Sequence, residues 1–259
     1  MQVCLVSGIK NALKRAGVKA VKILVLKHIE IEHPGIFGTF LAEDGHDVTT
    51  VELGLGEPLP ALDGFDALWV LGGPMDVWQE DEFPWLKAEK ALIADAVAER
   101  GMAYLGLCLG HQLLAEALGG KVGPAATPEI GVMDVQLTEE GASGVFFDGL
   151  DTRFPCLQWH AAEVTLLPAG AQVLATSERC AVQAMKWGPR AYSAQFHVEI
   201  EPDTITNWAA VPEYATALER AMGKDGLSSL QADAASNMAV LNQIAERIYI
   251  NWLQTAAQA

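Results

Sequence analysis

Through the first half of the chain, short apolar runs rich in β-branched residues alternate with helix-length amphipathic segments, the pattern of βαβ units and a mainly parallel sheet. Residues 21–26 read as the first strand, followed by a helix over about 34–43, a strand over 46–52, a loop rich in Gly and Pro, and a strand over 67–71 that runs into Gly72-Gly73-Pro74. Residues 84–100 predict a helix with Leu86, Ala91, Leu92 and Val97 on its buried side. A strand over 102–107 then passes directly into a helix over 109–118, which Gly119-Gly120 stops.

The second half changes character. Residues 132–137, 154–159, 173–176, 181–187 and 191–196 read as strands with few helices between them, so antiparallel or mixed pairing is expected there. The tail over 228–253 has helical spacing at Leu230, Met238, Leu241, Ile244, Ile248 and Trp252 and is expected to dock on the domain. The pattern predicts an α/β fold: one domain over residues 21–259, with an open mixed sheet, mainly parallel, and helices on both faces. Residues 1–20 hold a basic cluster of Lys10, Lys14, Arg15 and Lys19 and are expected to form a poorly ordered extension or a short helix outside the core.

Composition narrows the function classes. A length of 259 residues with 51% hydrophobic content suffices for a substantial core. A formal net charge of -16 argues against nucleic acid or an anionic membrane as the main partner, since both reward clustered Lys and Arg. No apolar run is long enough to span a bilayer, and the N-terminus lacks secretory order. Cys4, Cys108, Cys156 and Cys180 form no Cys-x-x-Cys pair and no zinc-site spacing, so a reduced, cytoplasmic setting is the expectation. His28, His33 and His46 with Glu30 and Glu32 show no ligand spacing either, and solvated loop positions are expected for them.

Candidate chemistry concentrates at Gly106-Leu107-Cys108-Leu109-Gly110-His111-Gln112, where the strand meets the helix. A nucleophile lifted out of a tight strand-to-helix turn needs small neighbours two positions before and after it, and Gly106 and Gly110 provide them. The helix N-terminus also favours a thiolate at Cys108. A thiolate nucleophile needs a base, and the base an orienting group. His197-Val198-Glu199 offers both: in extended backbone residues two apart share a face, so Glu199 can hold the His197 ring. His28-Ile29-Glu30 has the same spacing and follows the first strand, but His197 closes the last strand of the sheet. Gly72-Gly73-Pro74 offers unhindered backbone N–H groups that, with the N–H of Leu109, suit an oxyanion hole.

These three segments, Leu71-Gly72-Gly73-Pro74, the Cys108 turn and Gln195-Phe196-His197-Val198-Glu199, in that order, resemble the class I glutamine amidotransferase family, notably the glutaminase domain of GMP synthetase and its stand-alone relatives. The resemblance covers about residues 21–200 and implies a flavodoxin-like fold with a nucleophile elbow. It implies a Cys108, His197, Glu199 triad, an oxyanion hole from the N–H groups of Gly73 and Leu109, and substrate contacts at Gly72, Gln112, Trp159 and His160. Two departures stand out. The family usually places Pro between the triad His and Glu, where this chain has Val198, so a small loss of local rigidity with an intact triad is expected. After His160, relatives of GMP synthetase commonly show Gly-Asp, and this chain has Ala161-Ala162.

The implied reaction is attack of the Cys108 thiolate on the side-chain amide of glutamine or another γ-glutamyl compound, with no metal or organic cofactor. No ATP-pyrophosphatase loop is present, and about 60 residues follow Glu199, too few for a synthetase domain. The ammonia acceptor is therefore expected to be a separate synthase subunit. Two alternatives stand beside this reading: a stand-alone γ-glutamyl peptidase using the same triad, and a non-catalytic or stress-responsive elbow-cysteine binding protein.

Overall fold

Strand β1 (Lys22–Lys27) is followed by helix α1 (Ile36–Asp44), β2 (Asp47–Glu52), β3 (Ala67–Val70), α2 (Trp85–Ala94), β4 (Ala103–Leu107) and α3 (Leu109–Ala117). Next come β5 (Lys121–Leu137), α4 (Glu139–Ser143), β6 (Arg153–Leu166), β7 (Ala171–Thr176), β8 (Ala184–Trp187) and β9 (Ala191–Ala194). Helices α5 (Thr204–Trp208), α6 (Pro212–Met222) and α7 (Gly226–Ala256) complete the chain. This computed structural model describes residues 19–257. Apart from Lys19 and Ala20, the expected extension over 1–20 lies outside the described residues.

One sheet carries the strands in the order β2-β1-β3-β4-β9-β8-β7-β5-β6. Strands β2, β1, β3, β4 and β9 run parallel, and β9 to β8, β8 to β7, β7 to β5 and β5 to β6 are antiparallel. The first half is therefore doubly wound and the second mixed, with β9 parallel to β4 and β5 to β8 antiparallel, as the pattern predicts. The antiparallel strands make the whole sheet evenly mixed, where a mainly parallel one was expected. Alternation of side chains along the strands feeds two cores. Ile23, Val25, Trp69 and Leu105 pack with Phe37 and Leu41 of α1 and with Ile248 and Trp252 of α7. Leu24, Leu26, Leu68, Val70 and Tyr104 pack with Leu86 and Ile93 of α2 and with Leu113 and Leu114 of α3. Apolar residues on both faces are what a covered parallel strand requires. The docked tail is anchored by Trp252, which meets Trp69 edge-on at 5.0 Å and donates its indole N–H to the Tyr104 carbonyl at 3.0 Å.

Several elements differ from the sequence expectation. The helix predicted over 84–100 is an α-helix only as far as Ala94 and continues as a π-helical turn, Asp95–Glu99. Its buried side is Leu86, Glu89, Ile93, Ala96 and Val97, while Ala91 is exposed and Leu92 half-buried. Strands β5 and β6 extend well beyond 132–137 and 154–159. Their outer arms pair through a register shift between Pro124 and Glu129, and that irregularity is where a strand tolerates proline. Helices α4, α5 and α6 were not expected.

The carboxyl ends of the parallel strands converge on one edge: His28 follows β1, Gly72-Gly73 follow β3, Cys108 follows β4 and His197 lies shortly after β9. In open α/β sheets, ligand crevices form at that edge.

Candidate functional site

Cys108 has φ 50°, and among the described residues it is the one non-glycine with positive φ. Holding an L-residue there costs on the order of 1–3 kcal/mol, so the surroundings must enforce it. They do so through the backbone and the two glycines. Cys108 N–H donates to the Ala194 carbonyl at 2.8 Å, and the Cys108 carbonyl accepts from the N–H groups of His111 and Gln112 at 3.0 and 3.2 Å. A Cβ on Gly106 would lie 2.6 Å from the Gly110 carbonyl oxygen, and one on Gly110 would run into the Val70 carbonyl. The Tyr104 hydroxyl closes the turn by donating to the Gly110 carbonyl at 2.8 Å. The elbow expected from Gly-x-Cys-x-Gly is thus present, with the steric cause that the spacing predicts.

His197 is held by backbone bonds to Leu157, its N–H donating at 2.8 Å and its carbonyl accepting at 2.9 Å. Its Nδ1 lies 2.6 Å from Glu199 Oε1, and the Trp208 ring packs edge-on against it at 4.6 Å. Burial alone would push the His197 pKa down, but the Glu199 carboxylate and then the Cys108 side chain outweigh it, and the imidazolium is favoured well above its ordinary range. The second oxygen of Glu199 accepts the Val198 N–H at 2.9 Å. A proline at that position has no N–H to donate, so Val198 supplies an anchor of its own in place of ring rigidity. His28-Ile29-Glu30, with the same spacing, makes no such pair: Glu30 is exposed.

A cleft of about 260 Å³ opens over Cys108, lined by Gly73, Leu109, Gln112, Trp159, His160 and Tyr214. Among the described residues, neither the Gly73 nor the Leu109 N–H has an intramolecular acceptor. Gln112 Nε2 donates to Gln195 Oε1 at 3.0 Å and to the Ala162 carbonyl at 3.3 Å, and Gln195 Nε2 reaches Cys108 Sγ at 3.6 Å. His160 is tied by Nδ1 to the Ala162 carbonyl at 3.0 Å and by Nε2 to Glu129 Oε2 at 3.2 Å. Of the sequence-predicted residues, Gly73, Cys108, Leu109, Gln112, Trp159 and His160 line the cleft, while His197, Glu199 and Gly72 lie behind its wall, and a Cβ on Gly72 would lie 2.7 Å from Glu32 Oε2.

Glu32 itself went unrecognised in the sequence. It is buried, and its Oε1 accepts the Tyr214 hydroxyl at 2.5 Å. Burial raises the Glu32 pKa despite opposing contributions from His197 and Tyr214. His28 is also fully buried, so neither residue occupies the solvated loop position expected for it. Asp76 and Glu213 add carboxylates to the cleft wall. Glu129, His160 and Cys180 bring three potential metal-ligand atoms within 4.8 Å of one another, from segments too far apart for any motif to reveal. Both Glu129 oxygens are already engaged, Oε1 by Ser177 at 2.8 Å and Oε2 by Gln183 at 2.7 Å as well as His160.

A mixed α/β sheet, parallel in one half and antiparallel in the other, with a strained cysteine elbow beside a His-x-Glu strand end defines the class, and the comparisons agree with it. The chain belongs to the class-I glutamine amidotransferase family, whose model matches residues 41–207. It is 31% identical over 220 residues to the glutamine amidotransferase-like protein YfeJ of Salmonella typhimurium, covering 83% of this chain and 90% of that protein. It is 35% identical over 146 residues to a subunit of the glutamine-hydrolysing GMP synthase of Sulfurisphaera tokodaii, covering 56% of this chain and 73% of that one. The crystal structure of a glutamine amidotransferase from Thermotoga maritima superposes with a TM-score of 0.80 at 28% identity, covering 93% of this chain and all of that one. Helices α6 and α7 follow the matched region, yet α6 supplies Tyr214 to the cleft. Among the described residues, no helix is long and apolar enough to cross a membrane.

Proposed function

We propose that this chain hydrolyses the side-chain amide of glutamine through a thioester on Cys108 and releases ammonia to a separate acceptor enzyme. The observation that carries the reading is the strained Cys108 at the mouth of the cleft with the buried His197 and Glu199 pair behind it. Cys108 thiolate attacks the amide carbon, and the oxyanion that forms is met by the N–H groups of Gly73 and Leu109. His197 imidazolium protonates the departing nitrogen as the C–N bond breaks. The neutral ring then takes a proton from water, whose hydroxide attacks the thioester and releases glutamate and the Cys108 thiolate. Asp76 and Glu213 suit the α-ammonium group of the substrate, and Gln112, Trp159 and His160 shape the wall around it. The GMP synthase relative is by name one subunit of its enzyme, which supports an acceptor on another chain. Three free cysteines among the described residues fit a reducing, cytoplasmic setting.

A panel of L-glutamine, γ-glutamyl dipeptides and γ-glutamyl anilides, compared between wild type and Cys108→Ala, tests this. Glutamate and ammonia released from glutamine by wild type alone is the expected result. Much faster release from γ-glutamyl peptides assigns the γ-glutamyl peptidase reaction instead, and no turnover of any member favours a binding protein.

A further inference from the structure

One buried ionisable pair beside the cleft has no part in that mechanism. His28 stacks on Trp85 with ring centroids 5.3 Å apart, places Nδ1 2.6 Å from the Gly72 carbonyl oxygen, and places Nε2 3.0 Å from Glu89 Oε1. Trp85 and Glu89 are four residues apart on α2, so one helix face grips the ring. A carbonyl oxygen only accepts, which fixes the proton on Nδ1 and makes His28 the donor. No cis peptide occurs among the described residues, so the Gly73 N–H points opposite to the Gly72 carbonyl.

The Gly72-Gly73 peptide has no side chain on either flank to resist rotation about φ and ψ. Its orientation therefore depends on what holds the carbonyl. His28 holds it on the side away from the cleft, and Glu89 holds His28. Both His28 and Glu89 are fully buried, so solvent does not compete for these bonds.

We infer that the pair formed by His28 and Glu89 is a clamp that sets the Gly72-Gly73 peptide with the Gly73 N–H toward the Cys108 cleft, making His28 a positioning residue for oxyanion stabilisation. The inference rests on the reading of Cys108 as the nucleophile of γ-glutamyl hydrolysis. The clamp acts on the acyl-transfer step and leaves the acidity of the thiol to His197. Alkylation of Cys108 by iodoacetamide separates the two, because displacement of iodide forms no oxyanion.

The test uses the full chain as wild type, His28→Leu and His28→Asn, the asparagine amide retaining a donor near the position of Nδ1. For the γ-glutamyl amide that wild type cleaves fastest, His28→Leu is expected to lose about 10²- to 10³-fold in kcat, the cost of one oxyanion donor. KM is expected to stay within about threefold, alkylation within about twofold, and His28→Asn to recover at least about tenfold in kcat. An unchanged kcat in His28→Leu, a parallel loss of alkylation, or no recovery in His28→Asn overturns the clamp. If thermal melting shows that His28→Leu does not fold, Glu89→Gln replaces it, with kcat expected to fall about tenfold at unchanged alkylation and no fall counting against the clamp. If wild type turns over no γ-glutamyl amide, it is the functional reading that fails. A crystal structure of His28→Leu then decides the clamp: a rotated Gly72 carbonyl supports it and an unmoved one overturns it.

Discussion

His197 meets Glu199 at 2.6 Å across two residues of one strand end, whereas His28 meets Glu89 at 3.0 Å across 61 residues and from a different element. The Cys108 turn and the Gly72-Gly73 loop lie between the two pairs. In both, burial pushes the imidazole pKa down and is outweighed, at His28 by Glu89 with the Gly72 carbonyl and Glu32, and at His197 by Glu199 with the Cys108 side chain, so each ring is held toward its charged form. What differs is the group left for the other nitrogen. His197 is left the Cys108 side chain, which can give up a proton, while His28 is left the Gly72 carbonyl, which can only accept a hydrogen bond. His111 completes the comparison. It is fully buried with no carboxylate, its Nδ1 lies 2.8 Å from Ser193 Oγ, and burial with His160 nearby pushes its pKa down to about 3. Across these three rings a neighbouring carboxylate goes with the raised pKa and its absence with the lowered one, and the far nitrogen's neighbour sets what the proton is used for.

The largest effect that can break this comparison is at the thiol-facing pair. His197→Ala is expected to lower kcat for γ-glutamyl hydrolysis by about 10⁴- to 10⁶-fold, the range of losses on disabling one member of a catalytic triad. Iodoacetamide alkylation of Cys108 at neutral pH is expected to slow as well, in contrast to the His28 variants. If the His197→Ala and wild-type alkylation rates match across roughly pH 5–9, the division of labour between the two pairs is wrong, since His197 then has no hold on the thiol.

The uncharged ring gives a smaller and opposite signature, read as stability. The folded pKa of His111 is about 3 against an ordinary 6.5, so below pH 6.5 the unfolded chain takes up a proton that the folded chain refuses. Its contribution is fully present above pH 6.5 and is lost as pH falls toward about 3. His197 has the reverse sign: its raised folded pKa contributes stability fully present below its unfolded value and lost as pH rises through the folded one. Chemical denaturation from about pH 7 to 4 is expected to show a shallower acid limb in His111→Gln than in wild type. The difference in slope should approach about 1.4 kcal/mol per pH unit. Equal slopes would mean that His111 is protonated in the folded protein and that a carboxylate is not what separates the three rings.

The contrast between the pairs also explains which features the sequence revealed. Cys108, its flanking glycines and His197 with Glu199 are local patterns, each within about five residues, and their causes are local sterics and strand geometry. Glu89 sits mid-helix where a charged residue reads as solvent-facing, and only the packing of α2 against the end of β1 makes it the partner of His28. The same holds for Glu32, whose partner Tyr214 is 182 residues away. The central strands β1, β3 and β4 were legible because strands covered on both faces are nearly unbroken apolar runs, whereas edge strand β2, largely exposed, is marked by its β-branched residues. In β5 the Pro124 and Pro128 positions resemble turn signals, and tertiary pairing through an irregular register overrode them. Helix α6 did carry legible marks, with Pro212 at its first turn, Glu213 beside it and Arg220 near its end. They were outweighed by the scarcity of apolar periodicity, since Tyr214 and Leu218 are its fully buried side chains.

Val198→Pro sharpens the local pair by the smallest step. The substitution trades one cause of order for another, the Val198 N–H bond for the fixed φ of a proline ring. The lost Val198 N–H leaves Glu199 Oε2 without its 2.9 Å donor, and a bond to a charged acceptor is worth about 1.5–3 kcal/mol. The stiffened chain returns about 0.4–1 kcal/mol through the unfolded state. The balance predicts a net destabilisation of about 1–2 kcal/mol, seen as a melting point lower by a few degrees. The effect on kcat should stay below about tenfold, because the His197 and Glu199 contact at Nδ1 does not involve the Val198 N–H. A melting point that rises would mean that the N–H anchor contributes nothing and that Val198 is tolerated only because the spacing between His197 and Glu199 is kept. A kcat loss of about 10²-fold or more would instead place the orientation of Glu199, and with it the charge on His197, under control of this one backbone donor.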